Sequence, residues 1–458
     1  YSYPTDTNDF DQRQLSRLIM YNSDIKYIVK SINQIMLKGG YSNIVINRVL
    51  AAARLTVREE KTHRNTVLGV VENWLYLDYL LQLFVAKKVR GELKCFLMAG
   101  LYELHFGRGR ENHAVVNRYV DTAKLDFPKN HKFVNAILRR SLREVPDLTK
   151  LATAQRLSLQ FSFPLWLIEL WTKQYGMSTC RSIMANSLAQ RGVFLRVNQN
   201  QISRTALLSD LKAEGVTAKA AVLPNAIYVS AFGEKRLTEL SAFQNGQFSI
   251  QDLSAMLVGY LAGAKPGDKV LDLCSAPGGK ALDLAERIGP KGKLVACDIH
   301  EHKLKLIRSA AERLKLGNII VELSDATQYC ADFERSFDVV LLDVPCSGLG
   351  TIGKKPEIKY RKNPQDIDKL QVIQQKMLEQ AANYVKVGGN LVYSTCTLND
   401  LENRAQITRF LKTHTQFRLV TTPCLANIEL PTRDGMVEII PGESWSDGFF
   451  IAVLQRIS

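Results

Sequence analysis

Two cysteines stand in short segments whose residue types suit covalent chemistry. Asp343-Val344-Pro345-Cys346-Ser347-Gly348 follows the apolar run 339–342, and Tyr393-Ser394-Thr395-Cys396-Thr397 ends the apolar run 391–393 in the same way. A thiolate is a strong nucleophile, but at an ordinary thiol pKa of about 8.5 only ~3% is ionised at pH 7. Bringing that pKa near 7 raises the reactive fraction roughly fifteenfold, so a cysteine that attacks a substrate needs an activating site. Pro345 keeps Val344 out of helical geometry, which holds the acid and the thiol in a loop. A lone cysteine is more often a small buried apolar residue, and Cys95, Cys180, Cys297, Cys330 and Cys424 carry that reading. Cys346 and Cys396 differ because both leave what reads as a strand end.

A third segment, Asp272-Leu273-Cys274-Ser275-Ala276-Pro277-Gly278-Gly279-Lys280, ends the run 269–273 and opens a helical pattern over 281–288. Paired glycines let a ligand approach the backbone, and the following helix presents free N–H groups. Asp298 comes twenty residues after Gly278, a separation that suits a ribose diol. Alone, the glycine pair is a tight turn; with strand, helix and Asp298 in register it reads as a nucleoside site. The spacing is not the GxGxxG of dinucleotide folds. Asp325, after the run 319–323, could bond an adenine amino group or cap a turn. Cys274 is expected to pack within the turn.

These segments need a scaffold that gathers strand ends. From about 246 onward, strand patterns (269–273, 294–297, 319–323, 339–342, 391–393) alternate with helical ones (281–288, 303–316, 367–385). Leu370, Ile373, Met377 and Ala381 form the apolar face of the last helix, and Gly388-Gly389 is its stop signal. Such alternation predicts a parallel sheet covered on both faces, with ligands at the carboxyl ends of its strands. Upstream, Ile28, Ile32 and Ile35, and again Leu77, Leu80 and Phe84, recur at helical spacing with no competing period of two. Residues 151–245 mix a helical opening at 165–174, strands at 193–197 and 226–229, and a helix at 205–213. The expected organisation is a polar lead-in (1–24), an all-helical domain (25–150), a small α+β domain (151–245) and an α/β Rossmann-like domain (246–458).

Composition narrows the classes. The 458 residues are 46% hydrophobic and 23% charged, too apolar for a disordered chain. The most apolar stretches, near 74–86 and 157–171, are broken by Asp78, Gln82, Gln160, Pro164 and Glu169, so no membrane span is expected. Residues 1–250 hold 34 Lys+Arg against 20 Asp+Glu, whereas 251–458 hold 26 against 25. A basic first half suits a polyanion; a scattered solvated surplus is the alternative. Eight cysteines without a CxxC pair and seven histidines without HxxxH spacing predict no metal. The absence of a cleavable apolar leader and the sparse cysteines point to a reducing cytoplasm.

The strand-end segments resemble those of the Sun/RsmB-type bacterial ribosomal RNA cytosine-C5 methyltransferases. The resemblance assigns Cys274, Ser275, Ala276, Pro277, Gly278, Gly279 and Lys280 to an S-adenosylmethionine loop, Asp298 to the ribose and Asp325 to the adenine side. Asp343 matches the acid of an Asp-x-Pro-Cys signature and serves both cofactor and catalytic roles. Cys396 matches the family nucleophile and Cys346 the thiol that assists enzyme release. The segment 447–452 is similar to the family's final strand. Phe133-Val134-Asn135-Ala136-Ile137-Leu138-Arg139-Arg140 and His113-Ala114-Val115 resemble a NusB-type helical domain, while Leu195-Arg196-Val197-Asn198 and Gln251-Asp252 resemble the family's linker region. Coverage runs from about 25 to 458. Asn117 stands where an acid would be expected, and 1–24 match nothing.

The resemblance implies a class I methyltransferase domain behind a NusB-like domain, with S-adenosylmethionine as co-substrate. It also implies 16S ribosomal RNA as partner and a monomeric, cytoplasmic enzyme. Cys396 would attack carbon 6 of cytosine so that carbon 5 can take the methyl group, with Asp343 at ring nitrogen 3 and Cys346 aiding release. The basic first half would hold RNA phosphates. Arg139 and Arg140 are either phosphate contacts or a solvated helix face. The segment 354–362 is expected to contact RNA near the active site, with Tyr360 stacking on a base or packing. Three other readings compete: the same chemistry on tRNA, a non-catalytic RNA-binding or assembly factor, and an NAD(P) dehydrogenase. Both thiols and the intact glycine loop argue against a relic, the missing third glycine against a dehydrogenase, and the NusB-like segment for ribosomal RNA.

Overall fold

The computed structural model describes residues 24–53, 55–107, 109–189, 192–233, 235–421, 424–425, 428–442 and 447–458. Apart from Asp24, the lead-in expected over 1–24 lies outside them. Two compact units make up the chain: one ends at Lys173 and takes in Lys354–Arg361, and the other comprises Gln174–Gly353 and Lys362–Ser458.

The first unit is all-helical. Its described helices include 24–36, Ser42–Ala52, Val57–Glu72, Trp74–Phe84, Gly91–His105, Asn112–Asp126, His131–Arg143, Thr153–Phe161 and most of Leu165–Tyr175. Thr56 and Glu59 close a capping box on Val57–Glu72, satisfying backbone donors that a helix start leaves orphaned. Gly91–His105 is central: Cys95, Phe96, Leu97, Met98, Ala99 and Leu101 are all buried in one core with Ile28, Ile32, Leu77 and Leu80.

Lys354–Arg361 also belongs to this helical unit, where Glu357, Ile358 and Lys359 are buried and thus not free to contact RNA. Ser42 N donates to Glu357 Oε1 (2.9 Å), Lys359 Nζ to Glu72 O (2.8 Å), and Tyr360 OH to Ser162 O (3.1 Å). Arg361 Nη2 donates to the carbonyls of Ile35 and Gly40, both at 2.6 Å. Tyr360 therefore packs on the helical core instead of offering a stacking face. A short helix, Ile358–Arg361, sets these side chains.

Within the second unit, β1 (Val193–Val197), β2 (Thr217–Ala220), β3 (Ala226–Ala231) and β4 (Phe248–Ile250) form an antiparallel sheet in the order β2-β3-β1-β4. The helix Arg204–Ala213 seals its core through Leu207 and Leu211. Two of these strands had no sequence signal, since β2 is a largely exposed edge and β4 is three residues long.

The large sheet contains β5 (Lys269–Asp272), β6 (Lys293–Asp298), β7 (Ile319–Leu323), β8 (Phe337–Asp343), β9 (Val385–Thr395), β10 (Phe417–Val420), β13 (Thr432–Arg433), β14 (Met436–Ile439) and β15 (Phe449–Arg456); a separate hairpin holds β11 (Cys424–Leu425) and β12 (Ile428–Glu429). Its order is β13-β14-β15-β9-β8-β5-β6-β7, with β10 also against β15. Strands β5 to β9 run parallel, and β15 joins β9 antiparallel. Alternate residues feed two cores: Val270, Leu294 and Val339 on one face, Leu271, Val295 and Val340 on the other. Burial on both faces explains why these strands read as unbroken apolar runs. Strand order reverses between β5 and β8, and sheets of this kind bind ligands beyond the carboxyl ends at such a point. No helix of the described residues is long and apolar enough to cross a membrane.

Candidate active site

Asp343 ends β8 and pairs in register with Ser394 of β9. That register carries Cys346 and Cys396 off neighbouring strands at one edge, and their sulfurs lie 3.4 Å apart as free thiols. The hydrogen bond with Cys396 raises the Cys346 thiol pKa well above its ordinary value, and burial and nearby negative charge add to the rise. A shift in that direction favours the protonated form of Cys346, and either sulfur can donate across the contact.

Asp343 joins three segments. Its Oδ1 accepts from Ser394 Oγ and its Oδ2 from Lys280 Nζ, both at 2.7 Å. Lys280 lies at the start of the helix Gly279–Ile288, directly after the glycine loop. Burial opposes the Lys280 charge, but Asp343, with smaller contributions from Cys396 and Asp272, holds its pKa above the ordinary lysine value. The ammonium also lies over the Phe449 ring, 5.2 Å from its centroid. A cation beside Cys396 favours the thiolate there.

In the glycine loop, Ser275 N donates to Cys297 O (2.8 Å), Ser275 Oγ to Asp272 O (2.9 Å) and Gly278 N to Ser275 O (2.7 Å). The Ala276-Pro277 bond is cis. Gly278 has φ 108°, a left-handed conformation open to glycine at little cost. A Cβ on Gly279 would meet the Gln251 side chain at 3.8–4.0 Å, ordinary contact, and Gly279 opens the helix Gly279–Ile288, whose first N–H groups suit an anionic or polar ligand. Asp272 is buried, and burial with the Asp343 charge lifts its carboxyl to about 7. Its Oδ2 has no partner. Cys274 packs on the adjoining core, as its position in the turn suggests.

Asp298 ends β6, where its Oδ1 accepts from His300 N (3.0 Å). Asp325 follows β7 and accepts from Thr327 N (2.9 Å) and Thr327 Oγ1 (2.7 Å), the turn-capping geometry. Every site residue expected from the sequence thus lies at the carboxyl edge of the parallel strands. Lys280 bonds Asp343 and Cys346 meets Cys396, with the Cys396 charge acting on Lys280, whereas Asp298 and Asp325 stand at the ends of the outer strands. Among the described residues, no group of three or more His, Cys, Asp or Glu side chains could hold a metal.

Comparison with known proteins matches this architecture. The profile of 16S rRNA methyltransferase RsmB/F matches residues 260–455, that of the NusB family residues 25–143, and that of the RsmF/B-like ferredoxin-like domain residues 163–234. A probable ribosomal RNA small subunit methyltransferase B of Bacillus subtilis is 36% identical, over 91% of this chain and 95% of its own. One from Synechocystis is 34% identical, over 94% and 98%. The chain belongs to the RsmB/F methyltransferase family. Among solved structures, PH0851 superposes with a TM-score of 0.81 at 23% identity over 95% of this chain and 99% of its own, a likeness of fold. A methyltransferase homologue from Pyrococcus horikoshii gives 0.58 at 28% identity, over 67% and 100%.

In this RsmB/F family member the site has support that sequence reasoning missed. Arg196 of β1 is fully buried; it donates to Gln251 Oε1 (2.7 Å) and pairs with Glu286 on the helix after the glycine loop. Gln374, Thr397, Glu402 and Asn403 underlie the two cysteine loops and are themselves buried. Gly350 N donates to Cys396 O (3.0 Å) and Gly448 N to Gly350 O (2.9 Å), a backbone pinch between loops. Only for Arg196 and Gln251 was there a signal, their place in the linker-like segments. Asn399-Asp400-Leu401-Glu402-Asn403 has the composition of an exposed turn.

Proposed function

We propose that this chain transfers a methyl group from S-adenosylmethionine to carbon 5 of a cytosine in small-subunit ribosomal RNA, through a covalent adduct on Cys396. The observation that carries this reading is the 3.4 Å approach of the Cys346 and Cys396 sulfurs beside the Lys280–Asp343 pair. A single nucleophile would not need a second thiol at that distance. The Gly278-Gly279 turn at a helix N-terminus, with Asp298 and Asp325 on the next strand ends, suits the nucleoside part of the co-substrate. When bound, S-adenosylmethionine supplies an electrophilic methyl on a sulfonium.

Lys280 and the Cys346 S–H stabilise Cys396 as a thiolate, whose electron pair forms a bond to carbon 6 of the flipped cytosine. The carbon 5–carbon 6 electron pair becomes available at carbon 5 and takes up the methyl group. Asp343 holds the ring at nitrogen 3 only when its carboxyl carries a proton, because a carboxylate and that nitrogen are both acceptors. Release then requires loss of the carbon 5 proton to a water-borne base. That C–H pair restores the double bond, and the sulfur–carbon 6 pair returns to Cys396. Cys346, which keeps its proton, hydrogen-bonds the departing thiolate. The products are 5-methylcytosine, S-adenosylhomocysteine and a proton.

Residues 25–150 and 151–245 serve RNA binding in this reading, and 246–458 the chemistry. The relatives' names as small-subunit ribosomal RNA methyltransferases and the NusB match support ribosomal RNA as substrate over tRNA. The test is bisulfite and mass mapping of RNA from cells lacking the protein. One 16S cytosine should lose its methyl group. A change confined to tRNA would move the substrate, and unchanged RNA would remove the reading.

A further inference from the structure

Glu402 and Asn403 are neighbours in sequence and divide the two cysteine loops between them. The Glu402 carboxylate is fully buried. It accepts from Ser347 N (2.8 Å), from Ser347 Oγ, from Gln374 Nε2 (3.1 Å) and from Asn399 Nδ2 (3.1 Å). Gln374 Nε2 also donates to Pro345 O (3.0 Å), so residues on both sides of Cys346 are tied to one carboxylate. Asn403 does the same for Cys396, accepting from Thr395 Oγ1 and donating to Thr397 O (2.9 Å). The Ser347 and Thr397 hydroxyls meet at 2.6 Å and join the two halves.

We propose that Glu402 is a positioning residue for the release half of the reaction, fixing the Cys346 loop so that its thiol reaches the Cys396 sulfur as that sulfur leaves carbon 6. The inference rests on the cytosine-C5 reading above. A buried carboxylate is costly unless its acceptor sites are filled, and here four donors fill them, which over-determines the loop. Asn403 and the β9 pairing hold the residues that flank Cys396, which meet this carboxylate only through the Ser347–Thr397 contact. Removing Glu402 orphans Ser347 N and Oγ and frees the segment that carries Cys346. The Glu402 charge also helps keep the proton on Cys346.

The test uses the full chain, S-adenosylmethionine and transcribed small-subunit ribosomal RNA, made with either cytidine or 5-fluorocytidine. The fluorine blocks elimination, so the second RNA reports attack and methyl transfer alone. For Glu402→Gln, trapping on fluorinated RNA should stay within about threefold of wild type, while adduct lifetime on ordinary RNA lengthens on the order of tenfold to a hundredfold. Ser347→Ala retains the backbone N–H bond and should lengthen it less. Release by Glu402→Gln at the wild-type rate, or trapping that falls in step with turnover, overturns the proposal. If Glu402→Gln does not fold, Ser347→Ala decides, and a wild-type adduct lifetime there overturns it. A wild-type chain that never traps on fluorinated RNA removes the cytosine-C5 reading instead.

Discussion

Lys280 Nζ lies 2.7 Å from Asp343 Oδ2, so the first turn of the helix after the glycine loop is bonded to the strand end that leads to Cys346. In the proposed mechanism the methyl-donor side and the nucleophile side of the site therefore share one ion pair. Three elements far apart in sequence (the glycine loop, β8 and β9) are fixed to each other through Asp343.

Lys280→Met should weaken the nucleophile. Loss of the cation removes a stabilising charge from the Cys396 thiolate, so the pH midpoint for alkylation of Cys396 should rise by about one unit, equal to about 1.4 kcal/mol. Mass spectrometry of iodoacetamide labelling against pH reads this directly. An unchanged midpoint would show that the activating field comes from elsewhere.

The two thiols should separate under mutation. Cys396→Ala should abolish turnover and leave no covalent RNA adduct, whereas Cys346→Ala should accumulate adduct visible on a denaturing gel. The reverse pattern would exchange their roles.

Gly350→Ala should loosen the same loops by a steric route. A Cβ at Gly350 would sit 2.1 Å from Gly448 O, with Cys396 O at 2.9 Å. Both neighbours are backbone, so the strain of about 1–3 kcal/mol has no flexible side chain to absorb it. Thermal melting should show the loss, together with a fall in turnover; a variant as stable and active as wild type would contradict the pinch.

Stability of the helical unit should carry a pH signature from Lys359. Burial lowers its ammonium pKa to about 7, with Glu72 only partly opposing the shift. The unfolded lysine titrates near 10.5, so between those values the unfolded chain binds more protons and this residue's contribution to stability rises with pH. Burial raises Glu72 to about 7, which makes its own contribution fall as pH rises from about 4.5 to 7. Compared with Lys359→Met, wild type should gain on the order of 1–3 kcal/mol between pH 7 and 10, measured by denaturant unfolding. A difference independent of pH would mean that Lys359 stays charged when buried.

RNA binding should weaken steeply with salt, since each neutralised phosphate on a single strand contributes about −0.7 to the log–log slope. Arg140 is already paired with Glu144 (2.9 Å) and lies over the Phe84 ring, so Arg140→Ala should change that slope little. A slope near zero for wild type would exclude a phosphate clamp.

Local order was legible in the sequence because its causes are local. The apolar runs around Val270, Val295 and Val340 declare two-faced burial, Gly278-Gly279 declares a left-handed turn before a helix, and Pro345 declares a loop. Those features sufficed to bring Asp272, Asp298, Asp343, Cys346 and Cys396 to one edge of a sheet. The helical period of Ile28, Ile32 and Ile35 likewise fixed the class of the first unit.

What the tertiary structure alone decided are relationships whose partners lie far apart in the chain and whose residue types do not announce burial. Glu402 reads as a surface acid, yet Ser347, Gln374 and Asn399 supply it with donors and make its burial tolerable. The segment 354–362 reads as a basic loop, yet the carbonyls of Ile35 and Gly40 take the Arg361 guanidinium and that of Glu72 the Lys359 amine inside the helical unit. Periodicity records which face of an element is apolar; which polar group meets which is set by packing, because a buried charge is stable only where the fold delivers its partner.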